Sequence, residues 1–140
     1  MTGATGTSLW AITLVVPDYD AAIAFYVGKL GFILAEDIAQ HSESGPKRWV
    51  RIVPPGGGCS LVLGRAVGAG QQAAIGNQTG GRVGFFLQTD DFERDHAAML
   101  AKGVIFEEAP RREPYGIVAV WRDPFGNRWD LLERWDAPNG

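Results

Sequence analysis

Leu9 to Val16, LWAITLVV, alternates in character along its length and is rich in β-branched side chains, the period-2 signature of a strand. Pro17 stops it, and Asp18 stands where a helix N-cap belongs. From Tyr19 to Leu30 the period changes. Ile23, Tyr26, Val27 and Leu30 recur at i, i+3, i+4 and i+7, which predicts an amphipathic helix ended by Gly31. Strands are predicted at Phe32 to Ile38, Arg48 to Val53 and Ser60 to Leu63, separated by the polar HSESGPK and by the turn PPGGG. The first half therefore reads β-α-β-β-β.

The second half repeats that order. Gly81 to Thr89 alternates like a strand, Asp90 and Asp91 stand ahead of a helix, and Phe92, His96, Met99 and Leu100 share one helical face before Gly103. Strands follow at Val104 to Glu108, Ile117 to Arg122 and Arg128 to Arg134, with DPFGN between the last two. A shift of 73 residues lays Asp18-Tyr19-Asp20 on Asp91-Phe92-Glu93. Two like modules are expected, 8–66 and 81–136, joined by a glycine-rich linker over 67–80 within one compact domain.

Parity assigns the faces, because successive strand residues point to opposite sides. Ile12, Leu14 and Val16 are expected on the helix side, as are Val83, Phe85 and Leu87, and Trp129 and Leu131. The other side then carries Ala11, Thr13 and Val15, then Arg82, Gly84, Phe86 and Gln88, then Arg128, Asp130 and Leu132. That mixture of polar and apolar groups suits a ligand-binding surface better than a dry core.

Composition narrows the class. The 140 residues suffice for one domain with a real core, and the net charge of −3 with no basic stripe argues against nucleic acid as a partner. Cys59 is the single cysteine, so no intrachain disulfide forms, which suits a reducing cytoplasm. MTGATGTS has neither a positive n-region nor an apolar h-region, and no stretch is long and apolar enough to span a membrane. The glycines form no P-loop or dinucleotide fingerprint.

VPDYDAAIAFYVGKLGF (Val16 to Phe32), RWVRI in the third strand and the closing DPFGNRWDLLE resemble the vicinal oxygen chelate superfamily, which includes glyoxalase I, bleomycin-resistance proteins and extradiol dioxygenases. The resemblance spans roughly Leu9 to Trp135. It implies an α+β fold of two βαβββ modules whose curled mixed sheet encloses a central cleft. Catalytic members bind a divalent metal there through one ligand each from the first, fourth, fifth and eighth strands. Carried over, those positions fall on Ala11, on or next to Ser60, on Gly84 and on Asp130. Only Asp130 is a good ligand, so no cofactor is expected at these positions. A relocated metal held by Gln88 and Asp130 is the alternative. His41 sits in the polar HSESGPK loop and His96 on a helix face with Phe92 and Met99, where a half-buried structural role is expected.

Several residues are placed at the cleft by parity. Asp130, beside Arg128 and Arg82, is the candidate catalytic group: it either orients a ligand donor, acts as a base, or pairs structurally with an arginine. Trp49 and Arg51 face the cleft if Val50 and Ile52 pack on the helix, with tryptophan giving an apolar face and arginine a fork for carboxylate or phosphate. Phe86 and Gln88 are expected to line the ligand, Tyr115 in EPYG to gate its entry, and Trp121 to face it with Ala119 and Ile117. Cys59 lacks a nearby histidine and is not expected to be a nucleophile.

These features lead to the expectation of a cytoplasmic, homodimeric protein that binds a small, partly aromatic organic molecule at a degenerate metal site. The rival is a lyase, isomerase or dioxygenase-like enzyme using Asp130 with a relocated metal or an acid–base pair.

Overall fold

The computed structural model describes residues 6–41, 43 and 45–135. Most of MTGATGTS, Ser42 and Ser44 of the HSESGPK loop, and the expected end of the second module at 136 lie outside the described residues. The chain divides into two compact units, 1–65 and 66–140. It is of the α+β class, with two mixed sheets. No helix among the described residues is long and apolar enough to cross a membrane.

The first unit runs β1 (Ala11–Val16), α1 (Tyr19–Tyr26), β2 (Ile33–Gln40), β3 (Lys47–Val53) and β4 (Ser60–Arg65), with sheet order β1-β4-β3-β2 and β1 parallel to β4. Asp18 caps α1 by accepting from the Ala21 amide at 2.7 Å. The core lies between helix and sheet: Tyr19, Ala22, Phe25 and Tyr26 of α1 are buried with Leu14, Val16, Val50, Ile52, Leu61 and Leu63. The helix is shorter than its periodicity suggested and turns a different stripe inward. At Gly28 the ladder widens, with its amide donating to Ile23 O, and a Cβ there would stand 2.3 Å from the Ala24 carbonyl oxygen. Only glycine permits this loosened turn, so Val27 and Leu30 fall outside the regular helix and are only half-buried. Arg48 pins the outer strands to α1 through Asp37 (Nη2 at 2.7 Å) and Asp20 (Nη1 at 2.8 Å).

The second unit runs α2 (Gly68–Ala74), β5 (Phe85–Gln88), α3 (Phe92–Ala101), β6 (Ile105–Phe106), β7 (Arg111–Glu113), β8 (Gly116–Arg122) and β9 (Arg128–Arg134). Its sheet order is β5-β9-β8-β6, with β7 also on β8 and β5 parallel to β9. The expected linker thus contains a short helix, and EEAPRREPYG carries a strand, β7, that alternation alone did not reveal. β5 begins at Phe85 rather than at Gly81, because Gly80 and Gly81 take positive φ and Thr79 closes a turn by donating to Arg82 O. Asp91 caps α3 at the Arg94 amide as its position suggested. Phe92 and Met99 are buried, His96 sits between the rings of Phe92 and Phe106, and Leu100 is left exposed.

The helix side of this sheet is aromatic. Trp129 stacks on Phe85 at 4.7 Å and on Trp121 at 5.0 Å, over Leu131 and Ala119. The placement of Trp121 at the ligand is therefore corrected: it is opposite Trp129 across the β8–β9 ladder, shares its face and is fully buried. Ile117 and Ala119 go with it, since residues directly opposite on antiparallel strands share a side. The register of β9 is set by the turn before it. Asp123, nearly fully buried, accepts from the amides of Phe125 (2.9 Å) and Asn127 (2.8 Å) and from Asn127 Nδ2 (2.7 Å).

Replacing Asp123 by alanine strips three donors of their acceptor, one of them in a buried side chain. Urea unfolding is expected to show a loss of roughly 3 kcal/mol, since each buried group left unpaired costs about 1–3 kcal/mol. A loss below half a kilocalorie would show that the turn does not set the strand.

Candidate functional site

Each sheet keeps its helix on one side and presents the other as a mixed polar and apolar face. In the first unit Trp49 and Arg51 lie opposite in parity to the fully buried Val50 and Ile52, so both are on the open face as parity predicted. Arg51 is held there by two hydrogen bonds and a ring contact. Its Nε donates to Glu36 Oε1 at 2.6 Å, its Nη1 to Ser60 Oγ at 2.9 Å, and its guanidinium lies over the Trp10 ring at 4.6 Å. Trp49 Nε1 donates to the same Glu36 oxygen at 3.2 Å. The Arg51 hydrogen bond, seconded by that of Trp49, holds the Glu36 carboxyl below the usual carboxylate range.

Glu36 was missed by sequence reasoning, and the reason is local. Ile33 pairs with Val53 on the open face, and continued alternation along β2 would bring Asp37 there. A bulge between Leu34 and Glu36 inserts one residue and reverses the parity, so Glu36 and Ile38 join Arg51 and Trp49 instead. Asp37 turns to the helix side and pairs with Arg48.

In the second unit the open face carries Phe86 and Gln88 of β5, Arg128, Asp130 and Leu132 of β9, and Val118 and Val120 of β8. Asp130 stands between Phe86 of β5 on one side and Val120 of β8 on the other. Phe86, on the edge strand β5, is 65% exposed, a large apolar ring open to solvent. Gln88, at the end of β5, is exposed. Arg82 is corrected: it precedes β5, in the turn closed by Thr79, and is solvent-exposed. Arg128 is on the strand, but it binds Glu107 in a two-pronged pair (3.0 and 2.9 Å) and Gly81 O (2.9 Å), not Asp130. Tyr115 lies half exposed in the β7–β8 turn, with its carbonyl accepting from the Trp135 amide.

Asp130 is the exception on this face. Its Oδ1 is buried and accepts no hydrogen bond from any described residue. Burial raises its pKa above the usual carboxylate value, Glu108 adds to the rise, and the charges of Arg111 and Arg128 oppose it. Arg111 is itself held by Glu108 and Glu113. A desolvated acceptor without a donor is costly in a folded protein, and such groups gather where a ligand supplies the missing partner.

The metal positions implied by the resemblance can be tested on this geometry. Thr13, five residues before the Asp18 cap, pairs with Val62, while Phe86, five before the Asp91 cap, pairs with Asp130. The counterpart of Asp130 on β4 is thus Val62, next but one to Ser60. Ala11 and Val62 have no donor atom, and the Ser60 hydroxyl is taken by Arg51. Gly84 offers no side chain, and a Cβ there would meet Thr79 Cγ2 at 2.5 Å. Among the described residues no three His, Cys, Asp or Glu side chains gather to hold an ion. These residues do not fit a divalent metal.

The ionised Asp130 carboxylate works against folding. Its raised pKa means that the protonated form carries no such penalty, so the protein is favoured below the ordinary carboxylate range and loses this stability as pH rises through the folded pKa. Asp130→Asn is expected to be more stable than the wild type at pH 7 by about 1 kcal/mol, with the gap closing toward pH 4. Thermal melts of the two proteins across that range check it; a gap that widens on acidification would reverse the sign assigned to Asp130.

Residues 9–131 match the family model described as the Glyoxalase/Bleomycin resistance protein/Dioxygenase superfamily. An uncharacterised protein of Shewanella frigidimarina is 52% identical over 127 residues, covering 90% of this chain and 93% of its own. Among solved structures, TnmS3, an antibiotic binding protein from Streptomyces sp. CB03234, is 28% identical with a TM-score of 0.68, covering 94% of this chain and 99% of its own. A glyoxalase/bleomycin resistance protein from the same Streptomyces is 31% identical with a TM-score of 0.67, over 89% and 99%. The match of the family model across nearly all of both units, with the twofold strand-helix order already described, places the chain in the glyoxalase/bleomycin resistance protein/dioxygenase superfamily.

Proposed function

We propose that this protein binds a small, partly aromatic organic molecule on the open face of its second sheet, and does so without a metal. The observation that carries the reading is Asp130 Oδ1, a buried acceptor with no donor, on the same face as the exposed ring of Phe86. An apolar surface with one unsatisfied polar group is what a pocket offers when shape gives affinity and one hydrogen bond gives orientation. The likeness to an antibiotic binding protein at 28% identity supports a sequestering role over turnover. Arg51 and Trp49, held rigid by Glu36, give the first unit a second pre-organised surface for the same kind of molecule. The exposed Ile33 and Ile38 on edge strand β2 support a homodimer as the working form.

The enzymatic reading keeps one observation in its favour: a carboxyl group with a raised pKa suits a general base. Metal analysis followed by calorimetric titration with Zn²⁺, Ni²⁺, Mn²⁺ and Fe²⁺ separates the two. No tight binding is expected, together with retention of aromatic ligands after chelation. One equivalent per chain, lost in Asp130→Ala, would overturn metal-free binding and favour the enzymatic reading with relocated ligands. On the first sheet, Glu36→Gln is expected to free Trp49 and Arg51, seen as a shift in Trp49 emission against a Trp49→Phe reference. An unchanged spectrum would show that Glu36 does not hold them.

A further inference from the structure

The surroundings of Asp130 restrict what the bound molecule can present to it. While ionised, a carboxylate can only accept, so the missing partner of Oδ1 is a donor. The charged groups around it come from three places: Arg128 beside it on β9, Arg111 on β7, and Glu108 ahead of β7. Arg128 is neutralised by Glu107, and Arg111 by Glu108 and Glu113, yet the field of both arginines still favours the Asp130 anion. Val120 and Phe86, its cross-strand neighbours, bring no charge. A cationic ligand would therefore shed its hydration only to enter a place where the charges of Arg111 and Arg128 favour an anion. A neutral donor supplies the missing hydrogen bond without that opposition.

The register fixes what lies beside the donor. Phe86 and Asp130 are direct partners on adjacent strands with side chains on one face, which puts their Cβ atoms about 5 Å apart. A flat ring resting on Phe86 can therefore reach Asp130 with a hydroxyl on its edge. Resting on the binding reading above, we infer that the ligand is an uncharged aromatic hydroxyl compound: its ring lies against Phe86 and its hydroxyl donates to Asp130 Oδ1. Asp130 thereby acts as the specificity-determining residue of the face. Protonation of its carboxyl removes the charge that strengthens this hydrogen bond, so affinity falls as the pH is lowered through its raised pKa.

Three probes of one shape test this: 2-naphthol, 2-methoxynaphthalene and 2-naphthylmethylamine, the last cationic at neutral pH. Each is titrated into the ¹⁵N-labelled full chain at pH 7 and followed by amide shifts. Naphthol is expected to bind roughly tenfold more tightly than the methyl ether, the worth of one hydrogen bond to a charged acceptor. That preference should shrink to within about twofold in Asp130→Ala and fade in the wild type as the pH is lowered to 4, a comparison that needs no variant. Phe86→Ala should weaken all three probes together. Equal binding of naphthol and its ether would overturn donor recognition, and tightest binding of the amine would overturn the neutral ligand; in either case the face would still stand as a binding surface. Absence of any shift at Phe86, Val120 and Leu132 with all three probes would instead remove the binding reading itself.

Discussion

Three hydrogen bonds onto the Asp123 carboxylate hold the turn that launches β9, and the open face of the second unit depends on them. A strand is binary: one residue of slip exchanges every side chain between its faces. With the turn in place, Trp129 and Leu131 enter the aromatic stack under α3, and Arg128, Asp130 and Leu132 face the other way. Moved by one residue, the same strand would bury two charges and expose a tryptophan. The close approach of Gly76, whose Cβ would stand 2.0 Å from Phe125 O, shows how tightly the turn is enclosed. Gly116, where a Cβ would meet Glu133 O at 2.1 Å, holds the far end of the ladder equally close.

The two units solve the same packing problem with different polar chemistry. In the first, Glu36 and Arg51 satisfy one another, and the side chains around them are locked in one arrangement. A paired, hydrogen-bonded network of this kind gives rigidity and specificity more than stability. In the second, the arginines are drawn away to Glu107, Glu108 and Glu113, and Asp130 is left with a bare oxygen. The contrast has functional content. A satisfied network shapes a surface, whereas an unsatisfied acceptor asks for a partner.

The residues at the superfamily's metal positions are consistent with that division. Ala11 and Gly84 offer no donor atoms, Arg51 engages the Ser60 hydroxyl, and Thr79 stands where a side chain on residue 84 would begin. The remaining acid is then no longer balanced by a cation. Its environment, apolar on both cross-strand sides with guanidinium groups at a distance, keeps it desolvated rather than buried in an ion pair.

Much of this was legible in the sequence. The doubled strand-helix order, the Asp18 and Asp91 caps, and the faces of β1, β3, β5 and β9 follow from local rules: period 2 or 3.6, an oxygen at the helix start, alternation that the pleat enforces. Trp49, Arg51, Phe86 and Asp130 were found on the open faces by parity alone. What the sequence could not supply were the events that depend on a neighbouring strand. The bulge in β2 that brings Glu36 to Arg51, the short β7 that carries Arg111, and the pairing that turns Trp121 into the core are set by which backbone groups meet across the sheet. Arg82 was lost to a turn closed by the Thr79 hydroxyl. The identity of the site's acid was a property of the chain, but its missing hydrogen bond was decided only by the tertiary structure, because only there do the arginines find other carboxylates and water leave Asp130.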